Sequence, residues 1–362
     1  MEKSKSRIIR LEGVVTALTP IAHGSGESHE DENGGVIDEN IKWSIVDQKN
    51  TGAKSIPIIN GNAIRGPMRA AGAGIISDAI GIFDHLNDFR LLWSGGTTGN
   101  GNKKKEEKKG GATILVDLEK ERVFRQNNPF LSFFGGLLNT LIPGHLRVGG
   151  LIPICEQTKH ILPDYFGKEM VGFLGTSPLD TVMLTRRQAD DNPDNVRYLS
   201  PEAMAEKVAE GTRSANKKAL KAKNDTEADS LSDEEKALRS EKNYNIRMIR
   251  RFEVIRAGTR MYSWFEIFNA SDEEIGLLVA ILKKFSIQPY IGGRSASGYG
   301  RIGADYSLLI DGDHEGREEN ALLFNLNEGF VLNSQFLADC LEKFNRWLST
   351  ITADNVFFFG KA

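Results

Sequence analysis

Ile59-Asn60-Gly61-Asn62-Ala63-Ile64-Arg65-Gly66-Pro67-Met68-Arg69 is a glycine-bearing basic turn that runs into a helix rich in alanine and glycine. Far downstream, Ile291-Gly292-Gly293-Arg294-Ser295-Ala296-Ser297-Gly298-Tyr299-Gly300-Arg301 repeats the theme and runs into a strand-like stretch. Glycines let the main chain approach a ligand closely with its N–H groups bare, and arginines add forked, permanently charged donors. Two such loops suit phosphates strung along an extended anionic polymer, and RNA is the leading candidate. The first loop opens a helix, whereas the second follows a helix and enters a strand. Neither order fits a nucleotide-binding fingerprint, because no Gly-Lys-Ser/Thr follows and strand, loop and helix do not succeed one another around the second.

Working outward, Arg7 to Leu18 is β-branched and apolar and reads as the first strand, ended by Thr19-Pro20. Ile21 to Asn50 turns to Gly, His, Asp, Glu and Asn, which predicts a long loop or lid. Arg65 to Leu92 is helical in character, with a stripe at Met68, Ala71, Ile75, Ile76, Ala79 and Ile82. Gly95 to Gly111 is a low-complexity charged run expected to be mobile. Asn128 to Leu138 is apolar, and Leu146 to Ile154 reads as a buried strand broken by glycines. Ser200 to Asn243 predicts solvent-facing helices with a capping box at Ser232-Asp233-Glu234-Glu235. Phe252 to Phe268 returns to strand, and a second capping box at Ser271-Asp272-Glu273-Glu274 opens a helix. The second glycine loop, a strand to Ile310 and an amphipathic helix from Ser334 to Leu348 complete the chain, before an apolar end at Val356-Phe357-Phe358-Phe359.

Strand, helix, helix and strand at the two ends of the chain, with insertions between, predict an α+β fold. It is an antiparallel sheet with two helices on one face, in the ferredoxin-like or RNA-recognition arrangement. The chain has 362 residues and a formal net charge of −3, so any nucleic acid must meet a local basic surface. The two cysteines, Cys155 and Cys340, form no CxxC pair and no disulfide framework, which points to a reducing cytoplasm. A charged N-terminus without an apolar core predicts no signal peptide, and no apolar run is long enough for a membrane span.

Arginines cluster at Arg247, Arg250, Arg251, Arg256 and Arg260 against the single acid Glu253, while Arg186 and Arg187 precede the helical insertion. Both flanks of that insertion are therefore basic and suit phosphate contact; pairing with the insertion's own acids is the alternative. No His or Cys spacing supports a metal or other cofactor, although His23, His29, Asp31 and Asp38 share one polar stretch. Asp38, in Gly35-Val36-Ile37-Asp38, could assist attack by an RNA 2′-hydroxyl if it lay near a kinked phosphate. An unrelated enzyme acting on a phosphorylated small molecule is a third reading.

These residues resemble the RAMP superfamily of CRISPR-associated proteins, specifically the backbone subunits that polymerise along crRNA. Thr19-Pro20-Ile21-Ala22-His23-Gly24 is similar to the family's "TPLHIG"-type entry, and Pro57 to Arg69 to its "IPGSSLKGxLR" loop and helix. Asn60 to Gly66 is nearer the "SGNAWRGxLR" form associated with the type IV backbone subunit. Leu131-Ser132-Phe133-Phe134-Gly135 resembles the "LFG" segment, Leu146-Arg147-Val148-Gly149 the strand after it, and Gly292 to Arg301 the C-terminal glycine-rich loop. The ordered matches span about Ile8 to Ile302.

The resemblance implies a hand-shaped subunit. Residues 1–19, 55–93, 112–184 and 252–326 would form an RNA-recognition-type palm with finger elements. Residues 20–54 would be a lid, 94–111 a charged loop, 185–251 a thumb-like insertion, and 327–362 a C-terminal helix and tail. The implied function is a structural, non-enzymatic subunit in the cytoplasm that assembles on crRNA with copies of itself and other CRISPR effector subunits, and presents bases to a target nucleic acid. Its expected RNA contacts are Asn62, Arg65, Arg69, Arg186, Arg187, Arg247, Arg250, Arg251, Gly292, Gly293, Arg294 and Ser295. The alternative is the same scaffold cleaving target RNA with metal assistance at Asp38, where the resemblance to type III backbone subunits would put a catalytic aspartate.

Overall fold

The computed structural model describes residues 7–30, 36–46, 53–83, 85–95, 122, 125–137, 141–167, 177–186, 200–206, 209 and 248–352. In chain order the strands are β1 (Ile9–Ala17), β2 (Gly24–Glu30), β3 (Val36–Asn40), β4 (Lys42–Val46), β5 (Ala53–Pro57), β6 (Gly135–Leu137), β7 (Leu141–Pro143), β8 (Leu146–Val148), β9 (Ile152–Pro153), β10 (Leu179–Arg186), β11 (Met248–Ile255), β12 (Arg260–Ile267), β13 (Ile302–Ile310), β14 (Glu318–Asn325) and β15 (Gly329–Leu332). The main helices are α1 (Gly61–Ile80), α2 (Leu86–Ser94), α3 (Pro129–Phe134), α4 (Asp272–Phe285) and α5 (Gln335–Leu348).

The chain divides into two compact units, one of Met1–Ser25, Asn40–Asp180 and Val254–Ala362, the other of Gly26–Glu39 and Thr181–Glu253. The first is built on a sheet ordered β15-β14-β13-β1-β12-β8, with β9 also pairing β12. β1 is central and antiparallel to both neighbours: Ile9 stands opposite Ile267 on one side and Ile310 on the other. Taking β1, β8, β12 and β13 as the four successive core strands, with α1 after the first and α4 after the third, the spatial order is fourth, first, third, second. That is the ferredoxin-like arrangement expected.

Alternation along the strands explains the layering. Ile9, Leu11, Val15 and Ala17 of β1, Met261, Phe265 and Ile267 of β12, and Ile302, Ala304, Tyr306 and Leu308 of β13 join one core with Met68 and Ile76 of α1 and Ile275, Leu278 and Leu282 of α4. α4 starts on a complete capping box: the Ser271 hydroxyl accepts from Glu274 N–H at 3.2 Å, and the Glu274 carboxylate accepts from Ser271 N–H at 2.9 Å. α5 packs on α4 at Gly276, where a Cβ would stand 2.2 Å from the carbonyl oxygen of Cys340.

The opposite face of the sheet carries charge. Arg147, Glu266, Arg10, Glu12, Arg317 and Glu319 alternate in sign across it, each ion-paired to the next. Glu12 is only 1% exposed; besides Arg10 at 3.1 Å and Arg317 at 3.8 Å, it accepts hydrogen bonds from Tyr262 and Tyr165. Burial, with the Glu12 charge adding to it, raises the pKa of both phenols. Ile154, Leu162 and Phe166 roof this face against Tyr262.

The second unit holds a sheet ordered β10-β11-β3-β2, in which β11 runs parallel to β3 through Arg251 opposite Ile37 and Phe252 opposite Asp38. Residues 20–54 therefore contain strands where a loop or lid was expected. β2 is exposed throughout and held by backbone pairing, so it shows no apolar alternation in the sequence. β4 forms a hairpin with β5.

The helical stretch from Arg65 also differs from expectation. Gly81, at φ 82°, ends α1 by donating its N–H to Ser77, and Ile82 beyond it is 86% exposed. The inward face is Ile64, Met68, Gly72, Ala73 and Ile76. Most of the charged run 95–111, the capping box at Ser232 and the apolar end at Val356–Phe359 lie outside the described residues. Among the described residues, no helix is long and apolar enough to cross a membrane.

Candidate nucleic-acid interface

The two glycine loops, far apart in sequence, are hydrogen-bonded to one short segment, Thr19 to His23. On the side of the second loop, Gly300 N–H donates to Pro20 O and Gly293 N–H to Ala22 O, both at 2.8 Å, and Arg301 N–H donates to the Thr19 hydroxyl at 2.9 Å. On the side of the first, Asn60 N–H donates to His23 Nε2 at 3.3 Å. Asn40, itself buried, accepts the His23 N–H at 2.7 Å, and His23 O accepts from Ile41 at 2.8 Å.

The loops are shaped by closure on themselves. Gly300, at φ +87°, would bring a Cβ to 2.0 Å from the Ile291 oxygen, and Gly292, at φ +76°, to 2.5 Å from the Ala22 oxygen. Arg294 is non-glycine yet left-handed, at φ 64°, and starts a single 3-10 turn, Ser295–Ser297. Several of the amides expected to be bare are engaged. The N–H groups of Gly293, Ser297, Gly298, Tyr299 and Gly300 all have carbonyl partners, and those of Asn60, Asn62 and Ala63 are also engaged. Gly292 and Gly300 serve close backbone packing, whereas Gly298 stands in open space. Gly293 offers close approach and no spare amide hydrogen.

Side chains at the first loop divide by role. Asn60 caps α1, its Oδ1 accepting from Asn62 N–H, and the Asn62 side chain is exposed on the first turn. Arg65, half-buried, donates Nη2 to Phe134 O at 2.6 Å, while its buried Nε has no hydrogen-bond partner. Arg69 was expected on phosphate, but its donors point inward: Nε to Leu92 O at 3.1 Å, Nη1 to Gly135 O at 3.1 Å and Nη2 to Leu91 O at 2.9 Å. Its guanidinium also lies 5.3 Å and 5.5 Å from the ring centroids of Phe130 and Phe134. Burial, with the charge of Arg65 adding to it, lowers the Arg69 pKa to about 10. It ties the end of α2 and the turn after α3 to α1.

Ser295 is exposed and Arg294 half-buried on the second loop. In the second unit, Arg250 is exposed and Arg251 half-buried on β11, and Arg186 ends β10. Arg187 and Arg247 lie outside the described residues. Asp38 sits on β3, within a ladder and not on a flexible lid. Near it in sequence, His29 Nδ1 and Glu39 Oε1 lie 2.9 Å apart. No group of three or more His, Cys, Asp or Glu is gathered for a metal among the described residues.

The family model for the RAMP superfamily matches residues 14–303, from within β1 to the start of β13. The chain belongs to the RAMP superfamily. The matched span contains both glycine loops and the segment that joins them. Among solved structures, this RAMP chain is similar to one titled "Type IV-B CRISPR Complex", at 18% identity and a TM-score of 0.45, covering 84% of this chain and 91% of that one. It is also similar to Csc2 of Thermofilum pendens, at 12% identity and a TM-score of 0.33, covering 95% of this chain and 75% of that one. No curated protein matches it by sequence.

His23 is the residue whose role sequence reasoning missed. The sequence places it in a polar stretch with His29, Asp31 and Asp38, and the structure makes it the acceptor linking the entry segment to the first loop. The available signal was its position directly after Thr19-Pro20, in the entry motif itself.

Proposed function

We propose that this protein is a crRNA-binding backbone subunit of a multisubunit CRISPR effector complex of the type IV kind, assembling in several copies along one guide. The observation that carries this reading is the attachment of both glycine loops to Thr19–His23, which makes them one surface. Asn62, Arg65, Arg294 and Ser295 would meet phosphates there, with Gly292 and Gly293 allowing the strand to approach. Arg186, Arg187, Arg247, Arg250 and Arg251 would add phosphate contacts on the thumb-like segment. Arg69 acts from behind, holding the elements that carry Arg65. Phosphate contacts position a strand without reading it, so target choice falls to base pairing by the guide.

The test is purification followed by RNA binding at several salt concentrations. Copurifying RNA of uniform length and affinity that falls steeply with salt are expected. Arg65→Ala combined with Arg294→Ala should weaken binding by more than about tenfold with the fold intact. Salt-independent binding, or an unaffected double variant, would refute the assignment. Cleavage of complementary RNA that disappears in Asp38→Ala would assign a nuclease instead.

A further inference from the structure

Thr19 to His23 joins parts of the chain with no local reason to meet. One end of it takes amide hydrogens from the second glycine loop through the Pro20 and Ala22 oxygens. At the other end, the first loop attaches to it through a side chain: Asn60 N–H points at His23 Nε2, 3.3 Å away. An imidazole nitrogen accepts a hydrogen bond only while it carries no proton. The main-chain groups of His23 are fixed independently, by Asn40 Oδ1 at 2.7 Å and by Ile41 N–H at 2.8 Å, so its ring is held against the start of α1.

We propose that His23 is a positioning residue whose neutral ring keeps the two glycine loops in one register, and that protonation of this ring releases them and weakens RNA binding. Its effect on affinity rests on the RNA-binding reading; its effect on the loops does not. The groups hydrogen-bonded to it belong to Asn40, Ile41 and Asn60, none of which titrates. Burial lowers the His23 pKa. The ring is therefore neutral at neutral pH, and the pin fails as pH falls below the ordinary imidazole range.

The experiment compares wild type, His23→Gln and His23→Phe. Glutamine can supply an acceptor oxygen without titrating, and phenylalanine keeps the bulk without an acceptor. Amide hydrogen exchange at fixed pH reads both loops without RNA, and fluorescence anisotropy with a labelled single-stranded RNA reads affinity at high and low pH. His23→Phe should speed exchange in residues 57–63 and also in residues 289–301, although the substitution touches only the first loop directly. Wild type should lose about fivefold more affinity than His23→Gln on moving from about pH 8 to about pH 5, the worth of one ordinary hydrogen bond.

Unchanged exchange in residues 289–301 of His23→Phe, or a His23→Gln pH profile matching wild type, would overturn the inference. If His23→Phe does not fold, the wild-type and His23→Gln profiles decide alone. If wild type binds no RNA at any pH, the functional reading fails, and the exchange of the two loops still judges the role of His23.

Discussion

Replacing Arg69 by alanine should destabilise the protein without reducing the number of phosphates it neutralises. The side chain makes three hydrogen bonds to main-chain oxygens, at 2.9 to 3.1 Å, and lies over two phenylalanine rings. Hydrogen bonds to a charged donor contribute roughly 1.5–3 kcal/mol each, about 4.5–9 kcal/mol for three. Against this stands burial of the charge: its pKa falls from 12.5 to about 10, equivalent to about 3 kcal/mol. The net loss in Arg69→Ala should therefore be about 1.5–6 kcal/mol, or a fall in Tm of about 2–8 °C for a chain of 362 residues. Lysine, with one ammonium for three divergent carbonyls, should recover less than half.

Thermal unfolding and RNA binding over a salt series separate the two roles. For a purely structural arginine, Tm falls and the slope of log affinity against log salt is unchanged. An unaltered Tm, with a salt slope reduced by about 0.7, the share of one single-strand phosphate contact, would refute the argument.

Three further predictions concern the palm. Glu12→Ala should cost about 3–5 kcal/mol, read from the urea midpoint, because it leaves Arg10 and Arg317 without their shared buried anion; a midpoint within error of wild type would show that the charge ladder adds nothing. Gly300→Ala should cost about 3 kcal/mol or more, since positive φ and a 2.0 Å approach to the Ile291 oxygen act together, whereas Gly298→Ala, at φ +83° in open space, should cost about 1 kcal/mol; equal Tm shifts would sink this distinction. Burial raises the pKa of Tyr165, Tyr262 and Tyr306 above the ordinary phenol value. The unfolded chain then loses these protons first, so stability should be full below about pH 10 and decline above it. Tyr306→Phe should flatten that decline in denaturant melts, and a profile as steep as wild type would remove this tyrosine from the account.

The palm was legible because its signals are local. The Ser271 capping box, the period of α4 and α5 and the alternation in β1 lie within single elements, and strand, helix, helix and strand in that order leave few arrangements. What escaped was set by partners distant in the chain. Arg65 and Arg69 look alike in the sequence, and only carbonyls 22 to 66 residues downstream turn Arg69 inward. His23 acts on an amide 37 residues away. β2 depends on backbone pairing, which leaves no trace in side-chain pattern when both faces are wet. The glycines were seen, but composition could not tell that the amides of Gly293, Gly298 and Gly300 are closed on carbonyls.

The central strand also sets a schedule. Both strands that flank β1, β12 and β13, are encoded some 250 to 300 residues after it. At about 5–20 residues per second, β1 waits roughly 15 to 60 s for its second neighbour. Until β12 emerges, Ile9, Leu11 and Val15 have no sheet to enter, and an apolar strand with two open edges invites pairing with another nascent chain. Yield in cells should therefore respond to chaperone supply and to synthesis rate more strongly than the stability of the finished protein would suggest.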